Sequence, residues 1–305
     1  MKSSNKIVVT QNMDFYPDQI ERLNSLGDRI LYIDRAASPE EWLNRCKDSD
    51  IICSGLYGLK EKVYELPNKF YSLPFVGAGW LDKERLKENN ITVSYSPGCN
   101  KAAVSEWITA MMLNLLRELP RYTNIENLPK GTLPEMTLGA NGKNVCILGS
   151  GNIGTQVGKI CSALDMNVYF FDRNKNLIDS VSCADVIINT LSLNPGTDGL
   201  LDAHFFNSLK KGSYFISVTE DNVYDTSALF EALDNNVLEG AAIDTGSSRV
   251  GDIDDPLYKQ LIRHPKILAT PHIAYNTDVT ARISNDIMID NIDAWLKGEP
   301  INLLE

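Results

Sequence analysis

The sequence predicts an α/β protein built as two doubly wound parallel-sheet domains. Three observations carry that expectation. Short β-branched apolar runs alternate with helix-period stretches, the pattern of parallel strands joined by helical crossovers. The alternation breaks off near residue 120 and restarts near residue 143, so it forms two series. The chain has 305 residues, enough for two domains of ordinary size.

In the first series, "KIVVT" (6–10), "RILYI" (29–33), "DIICSG" (50–55), "PFVGAG" (74–79) and "ITVSY" (91–95) read as strands. Amphipathic segments at 17–26 and 39–47 lie between them as helices. "SPGCNKAAVSEWITAMMLNLLREL" then gives a loop and a long helix over roughly 100–119. Residues 120–142 hold three prolines and several glycines and read as a connection. The second series predicts strands at 143–148, 167–171, 186–190, 213–218, 239–243 and 266–270. The crossover from Asp172 to Asp185 leaves room for about two helical turns. The last stretch is amphipathic, with Val279, Ile283, Ile287 and Ile292 near one face. A terminal helix there could cross back onto the first domain. No repeat of 20–50 residues interrupts this order.

Composition narrows the partners. A net charge of −11 disfavours nucleic acid and anionic lipid, while a small-molecule substrate, even an anion, could bind where local amides or arginines overrule that field. No run approaches the ~20 apolar residues of a membrane helix. The start, "MKSSNKIVVT", lacks the apolar stretch of a signal peptide. Six scattered cysteines without a Cys-x-x-Cys pair read as small buried hydrophobes in a reducing compartment, so a cytoplasmic location is expected. Three histidines at these spacings form no metal-ligand cluster.

"NVCILGSGNIGTQVGKICSAL" contains Gly149-x-Gly151-x-x-Gly154 between a buried strand and a helix, the Rossmann-like setting of a dinucleotide site. The first glycine permits the tight turn. The second lets backbone approach a pyrophosphate, and the third lets helix pack on strand. The next strand ends at Asp172, eighteen residues past Gly154. A carboxylate there bonds ribose hydroxyls and repels a 2′-phosphate, which favours NAD over NADP; Arg173 beside it softens that preference.

Of the three histidines, His272 follows a buried strand at the carboxyl edge where open α/β sheets place ligands. It is the candidate proton donor for a hydride-transfer reaction. His204 reads as structural on a helix, and His264 as a surface residue before a turn.

"FVGAGWLD", "SPGCNKAAVSEW", "ILGSGNIG", "ADVIINTLSLNPGTDGLLDAHFF", "LKKGSYFISV", "GAAIDT" and "LATPHIA" follow one another in this order over nearly the whole chain. Together they resemble the D-isomer-specific 2-hydroxyacid dehydrogenase family. The resemblance implies a cofactor domain (99–276) inserted into a discontinuous substrate domain (1–98 and 277–305), a homodimer, and a cleft that closes on substrate. It implies that the amides around Ala78 and Gly79 hold the substrate carboxylate and that Leu56 and Tyr57 face the substrate. Asn152 and Ile153 would lie under the pyrophosphate. Leu191, Val218, Thr219 and Asp244 would line the adenosine and nicotinamide. His272 would be the acid/base of an NAD-dependent oxidoreductase.

The chain departs from the family pattern at two charged positions. Where the family carries arginine, a gapless count from Gly212 to Asp225 finds Glu220. Where it carries glutamate, the fifth residue after Asp244 is Arg249. Two like charges ~4 Å apart at an effective dielectric of ~20 repel by about 4 kcal/mol, where opposite charges would attract equally. Two readings follow. In one, Arg249 replaces the missing anion clamp, Glu220 pairs with it or touches a cationic or neutral part of another substrate, and oxidoreduction persists on an unusual substrate. In the other, the chain keeps the fold and NAD binding and serves as a binding or regulatory protein.

Overall fold

The computed structural model describes residues 5–123, 135–171, 174, 176–246 and 250–304. The chain divides into two compact units, Met1–Asn100 with Asn276–Glu305, and Lys101–Tyr275.

The first unit is a five-stranded sheet of β1 (Lys6–Val9), β2 (Asp28–Leu31), β3 (Ile51–Cys53), β4 (Phe70–Ser72) and β5 (Thr92–Ser94). Its order is β2-β1-β3-β4-β5 and every pairing is parallel. Side chains alternate between two cores, as a strand's two-residue period demands. Ile7, Val9, Ile51 and Cys53 pack on one face, and Val8 and Ile52 on the other. Helices α1 (Pro17–Leu26), α2 (Pro39–Cys46), α3 (Leu59–Lys62) and α4 (Lys83–Glu88) connect the strands.

One strand assignment from the sequence is overturned. Residues 74–79 are loop, and the fourth strand is Phe70–Ser72 upstream. Phe75 and Val76 have strand-forming side chains, but Gly77 and Gly79 interrupt the run, and a Cβ at either would meet nothing within 4 Å.

The second unit holds β6 (Asn144–Leu148), β7 (Asn167–Phe170), β8 (Val186–Asn189), β9 (Ser213–Ser217), β10 (Leu238–Asp244) and β11 (Ile267–Thr270). The order is β11-β10-β9-β8-β6-β7, again parallel throughout, so all six carboxyl ends share one edge. Val145 and Ile147 enter one core, Cys146 and Leu148 the other. The connecting helices are α5 (Lys101–Leu116), α6 (Leu119–Thr123), α7 (Asn152–Ala163), α8 (Leu177–Val181), α9 (Ala203–Asn207), α10 (Thr226–Asp234) and α11 (Pro256–Leu261). The crossover after β7 carries the short α8, whose Asn176 side chain caps the Ile178 and Asp179 amides.

The terminal helix α12 (Asp278–Leu296) belongs to the first unit, and its buried face keeps Ile292 of the stripe its apolar spacing predicts but is turned away from the start of that stripe. Val279 and Ile283 are exposed. The buried face carries Ser284, Asn285, Met288, Ile289, Asn291 and Ile292. Its polar members are satisfied: the Asn285 side chain donates to Met13 O at 2.8 Å and Asn291 to Tyr95 O at 3.0 Å. A buried amide with its hydrogen bonds made costs little, so polarity here did not mark the solvent side. Trp295 stacks on Phe70 with ring centroids 4.9 Å apart.

All six cysteines are free, and five are buried; Cys183 is the exposed exception to the buried reading. Burial pushes the Cys46, Cys53 and Cys146 thiols up to about 12, so they stay neutral. Among the described residues no helix is long and apolar enough to cross a membrane.

Candidate functional site

The glycine turn joins β6 to α7 at the shared edge. Gly149 sits at φ 106°, open to glycine and strained for other residues, and a Cβ there would lie 2.9 Å from Thr190 O. At Gly154 a Cβ would come 2.0 Å from Gly149 O, so the first turn of α7 packs directly on the strand end. Gly151, the residue before α7, faces open space. The backbone N–H groups of Gly151, Asn152 and Ile153 meet no acceptor among the described residues. A 12-residue helix with free amides at its start and an unobstructed approach is a place for a pyrophosphate. β6 also marks the point where strand order reverses, with β7 on one side and β8 on the other.

Across the edge, Leu191 follows β8, Val218 to Glu220 follow β9, Asp244 ends β10 and His272 follows β11. The β6 to β11 distance is four inter-strand spacings, roughly 19 Å. Leu191 and Val218 are half-buried, and Glu220 is exposed. Thr219 turns inward: its hydroxyl accepts from the buried Asn189 side chain at 3.0 Å and lies 3.1 Å from Ser217 Oγ.

Asp244 is 5% exposed and spends both carboxylate oxygens on the histidine loop. Oδ1 accepts from the Thr270 hydroxyl at 2.5 Å and from Ile273 N at 2.9 Å, and Oδ2 from Ala274 N at 2.9 Å. His272 is thereby held between two pinned neighbours in the left-handed region, φ 56°, with its N–H on Thr270 O. Its half-buried ring meets Tyr275 edge to face at 5.8 Å. Replacing Asp244 by Ala strands two amides and a hydroxyl, and should destabilise the protein by about 2–4 kcal/mol. Urea unfolding reads the total. Faster hydrogen exchange at Ile273 and Ala274 reads the loop, and unchanged exchange there would contradict this account of its anchoring.

Asp221 is the residue sequence reading passed over. Its Oδ1 accepts from Gly246 N at 2.9 Å, tying the loop after β9 to the end of β10. Burial raises its carboxyl pKa, the Gly246 hydrogen bond opposes that, and the His272 imidazole also acts to lower it. The other two histidines stand apart: His204 lies on α9, while His264 is half-buried against Phe230 and Asp234 rather than on the surface. Asp172 and Arg249 lie outside the described residues.

In the first unit, Leu56 and Tyr57 are half-buried, Ala78 is buried, and Gly79 is exposed. The amides of Ala78 and Gly79 meet no acceptor among the described residues. Two cations missed from the sequence stand at these loops. The Arg35 guanidinium lies 4.4 Å from the Tyr57 ring centre and the Lys60 ammonium 5.6 Å from that of Trp80. No pattern in the chain announces ring stacking between residues so far apart.

These features define a parallel-sheet protein with a dinucleotide turn at one strand end and a fixed histidine at another. The NAD binding domain of the D-isomer specific 2-hydroxyacid dehydrogenases matches residues 109–274. The chain belongs to that family. A hydroxypyruvate reductase of Blautia hydrogenotrophica is 27% identical, covering 98% of this chain and 99% of its own. The D-3-phosphoglycerate dehydrogenase of Escherichia coli K12 is 31% identical over 66% of this chain and 52% of its own. Among solved structures, an acyclic imino acid reductase in complex with NADPH and D-Arg superposes with TM-score 0.82 at 23% identity, covering 98% of this chain and all of that one. A D-lactate dehydrogenase of Treponema pallidum gives 0.81 at 21%, with 98% and 99% covered.

Proposed function

We propose that the protein is an NAD-dependent oxidoreductase interconverting a 2-keto acid, or a closely related carbonyl, and its 2-hydroxy acid. The observation that carries this reading is His272, fixed in a left-handed loop by Asp244 at the edge that bears the glycine turn. When bound, the nicotinamide would supply or accept the hydride. His272 supplies the proton to the carbonyl oxygen, or removes it from the alcohol in reverse. The free amides of Gly151, Asn152 and Ile153 carry the pyrophosphate. Those of Ala78 and Gly79 carry the substrate carboxylate, while Leu56 and Tyr57 shape its surroundings. Leu191 and Val218 offer apolar surface to the cofactor. Asp172, by its position after β7, favours NAD over NADP. The free, mostly buried thiols support a cytoplasmic setting. The apolar α5 and the exposed Met136 support a homodimer.

The test is a panel of 2-keto acids with NADH, alongside calorimetry of NADH binding. Reduction of one member supports the reading. Cofactor binding with no turnover across the panel favours a binding protein on a dehydrogenase fold. No binding of either nicotinamide dinucleotide overturns both.

The reversed charges at Glu220 and Arg249 are proposed to set the substrate apart from the family's simple keto acids. Glu220→Arg with Arg249→Glu should raise kcat/KM on glyoxylate, pyruvate or hydroxypyruvate at least about tenfold, a barrier change of ~1.4 kcal/mol. No gain on any of the three would remove this pair from substrate selection.

A further inference from the structure

Two cations of the first unit rest on aromatic rings instead of carboxylates. The Arg35 guanidinium lies 4.4 Å from the Tyr57 ring centre, and the Lys60 ammonium 5.6 Å from that of Trp80. Both side chains are exposed, and among the described residues neither has a carboxylate within 4 Å. They keep that charge although the chain carries 40 acidic residues against 29 basic ones. Other cations take the carboxylates next to them. Asp34 and Glu41 pair with Arg45 at 3.1 and 2.6 Å, and Glu40 and Glu65 with Lys62 at 3.5 and 2.8 Å. A ring face holds a cation in place without neutralising it, so its N–H groups stay available to an anion.

The pair stands at one edge of the sheet. Arg35 follows β2, Tyr57 and Lys60 follow β3, and Trp80 follows β4, all beyond the carboxyl ends of parallel strands. Lys60 N donates to Leu56 O at 3.2 Å, closing the turn that carries Tyr57 and Lys60. The Tyr57 hydroxyl donates to Ala37 O at 3.1 Å, which ties this turn to the loop bearing Arg35. Trp80 meets Phe75 edge to face at 6.4 Å, so the ring beside Lys60 is itself braced. Trp80 directly follows Gly79, whose amide, like that of Ala78, meets no acceptor among the described residues.

We propose that Arg35 and Lys60 form a subsite for a second anionic group on the substrate, at the end away from the carboxylate held by the Ala78 and Gly79 amides. The substrate class is then a 2-keto acid with a distal carboxylate or phosphate. This rests on the reading of Ala78 and Gly79 as the carboxylate site. A neutral tail leaves both cations unpaired, whereas an anionic tail gains a charge-assisted hydrogen bond from each.

The test compares keto acids that differ at the far end: 2-ketoglutarate against 2-ketopentanoate for a carboxylate, and 3-phosphohydroxypyruvate against hydroxypyruvate for a phosphate. The parent should favour the doubly charged member of at least one pair by about tenfold or more in kcat/KM. In Arg35→Met with Lys60→Met that ratio should fall at least about tenfold. A parent ratio near one in both pairs, or a ratio the double variant keeps, overturns the proposal. Both side chains are exposed, so the double variant should fold; if it unfolds early, the two single variants take its place. Calorimetry of glutarate against pentanoate, with and without NADH, needs no turnover and decides alone if none of the four keto acids is reduced. The parent should bind glutarate at least about tenfold tighter than pentanoate, and the double variant should lose that margin. Glutarate bound no tighter than pentanoate by the parent, or a margin kept in the variant, overturns the subsite whatever the reaction.

Discussion

His272→Asn should lower kcat/KM for keto-acid reduction by about 10²–10⁴, the usual worth of a placed proton donor, and leave NADH affinity as it is. Asparagine is the right replacement because His272 stands at φ 56°, a region asparagine enters readily and alanine does not. The loop then keeps its bonds to Asp244 and only the ring is lost. Reduction draws its proton from the imidazole, and asparagine has no such proton to give. Reduction at the parent rate in the variant would take His272 out of the chemistry.

Second in size are paired substitutions at the glycine turn. Gly154→Ala sets a methyl 2.0 Å from Gly149 O, a backbone atom that cannot swing aside. The turn must open, with an expected loss of about 3 kcal/mol in stability and of dinucleotide binding. Gly151→Ala is the informative contrast. Nothing lies within 4 Å of its added methyl, and its φ of −74° suits alanine. Stability should stay within about 0.5 kcal/mol of the parent, while NADH affinity falls at least about tenfold because the methyl fills the space a pyrophosphate needs. Calorimetry and thermal unfolding on both variants separate the effects. Full affinity in Gly151→Ala would mean the dinucleotide is held elsewhere.

Most of the architecture was legible because parallel strands buried on both faces leave unbroken apolar runs, as in "NVCIL" and "DVIIN". Legibility failed where length or polarity misled. Phe70–Ser72 is only three residues long, and the more strand-like Phe75 and Val76 nearby diverted the assignment. The α12 face failed because Asn285 and Asn291 look solvent-bound until their carbonyl partners, far off in the chain, are seen. At the site, Gly149, Gly154 and His272 announce themselves through spacing and strand ends. Asp221 does not. Nothing local tells it from Glu220; a hydrogen bond to Gly246, 25 residues on, decides which carboxylate turns inward.

The return of α12 has a consequence for biosynthesis. One side of the β1–β5 sheet is covered by Met288, Ile289 and Ile292, side chains translated some two hundred residues after β5. On the ribosome that sheet must wait, with only the Leu23 side of this flank covered, while the intervening unit acquires its full complement of strands. Nascent chains stalled before residue 278 should therefore be substrates for chaperones that released chains escape.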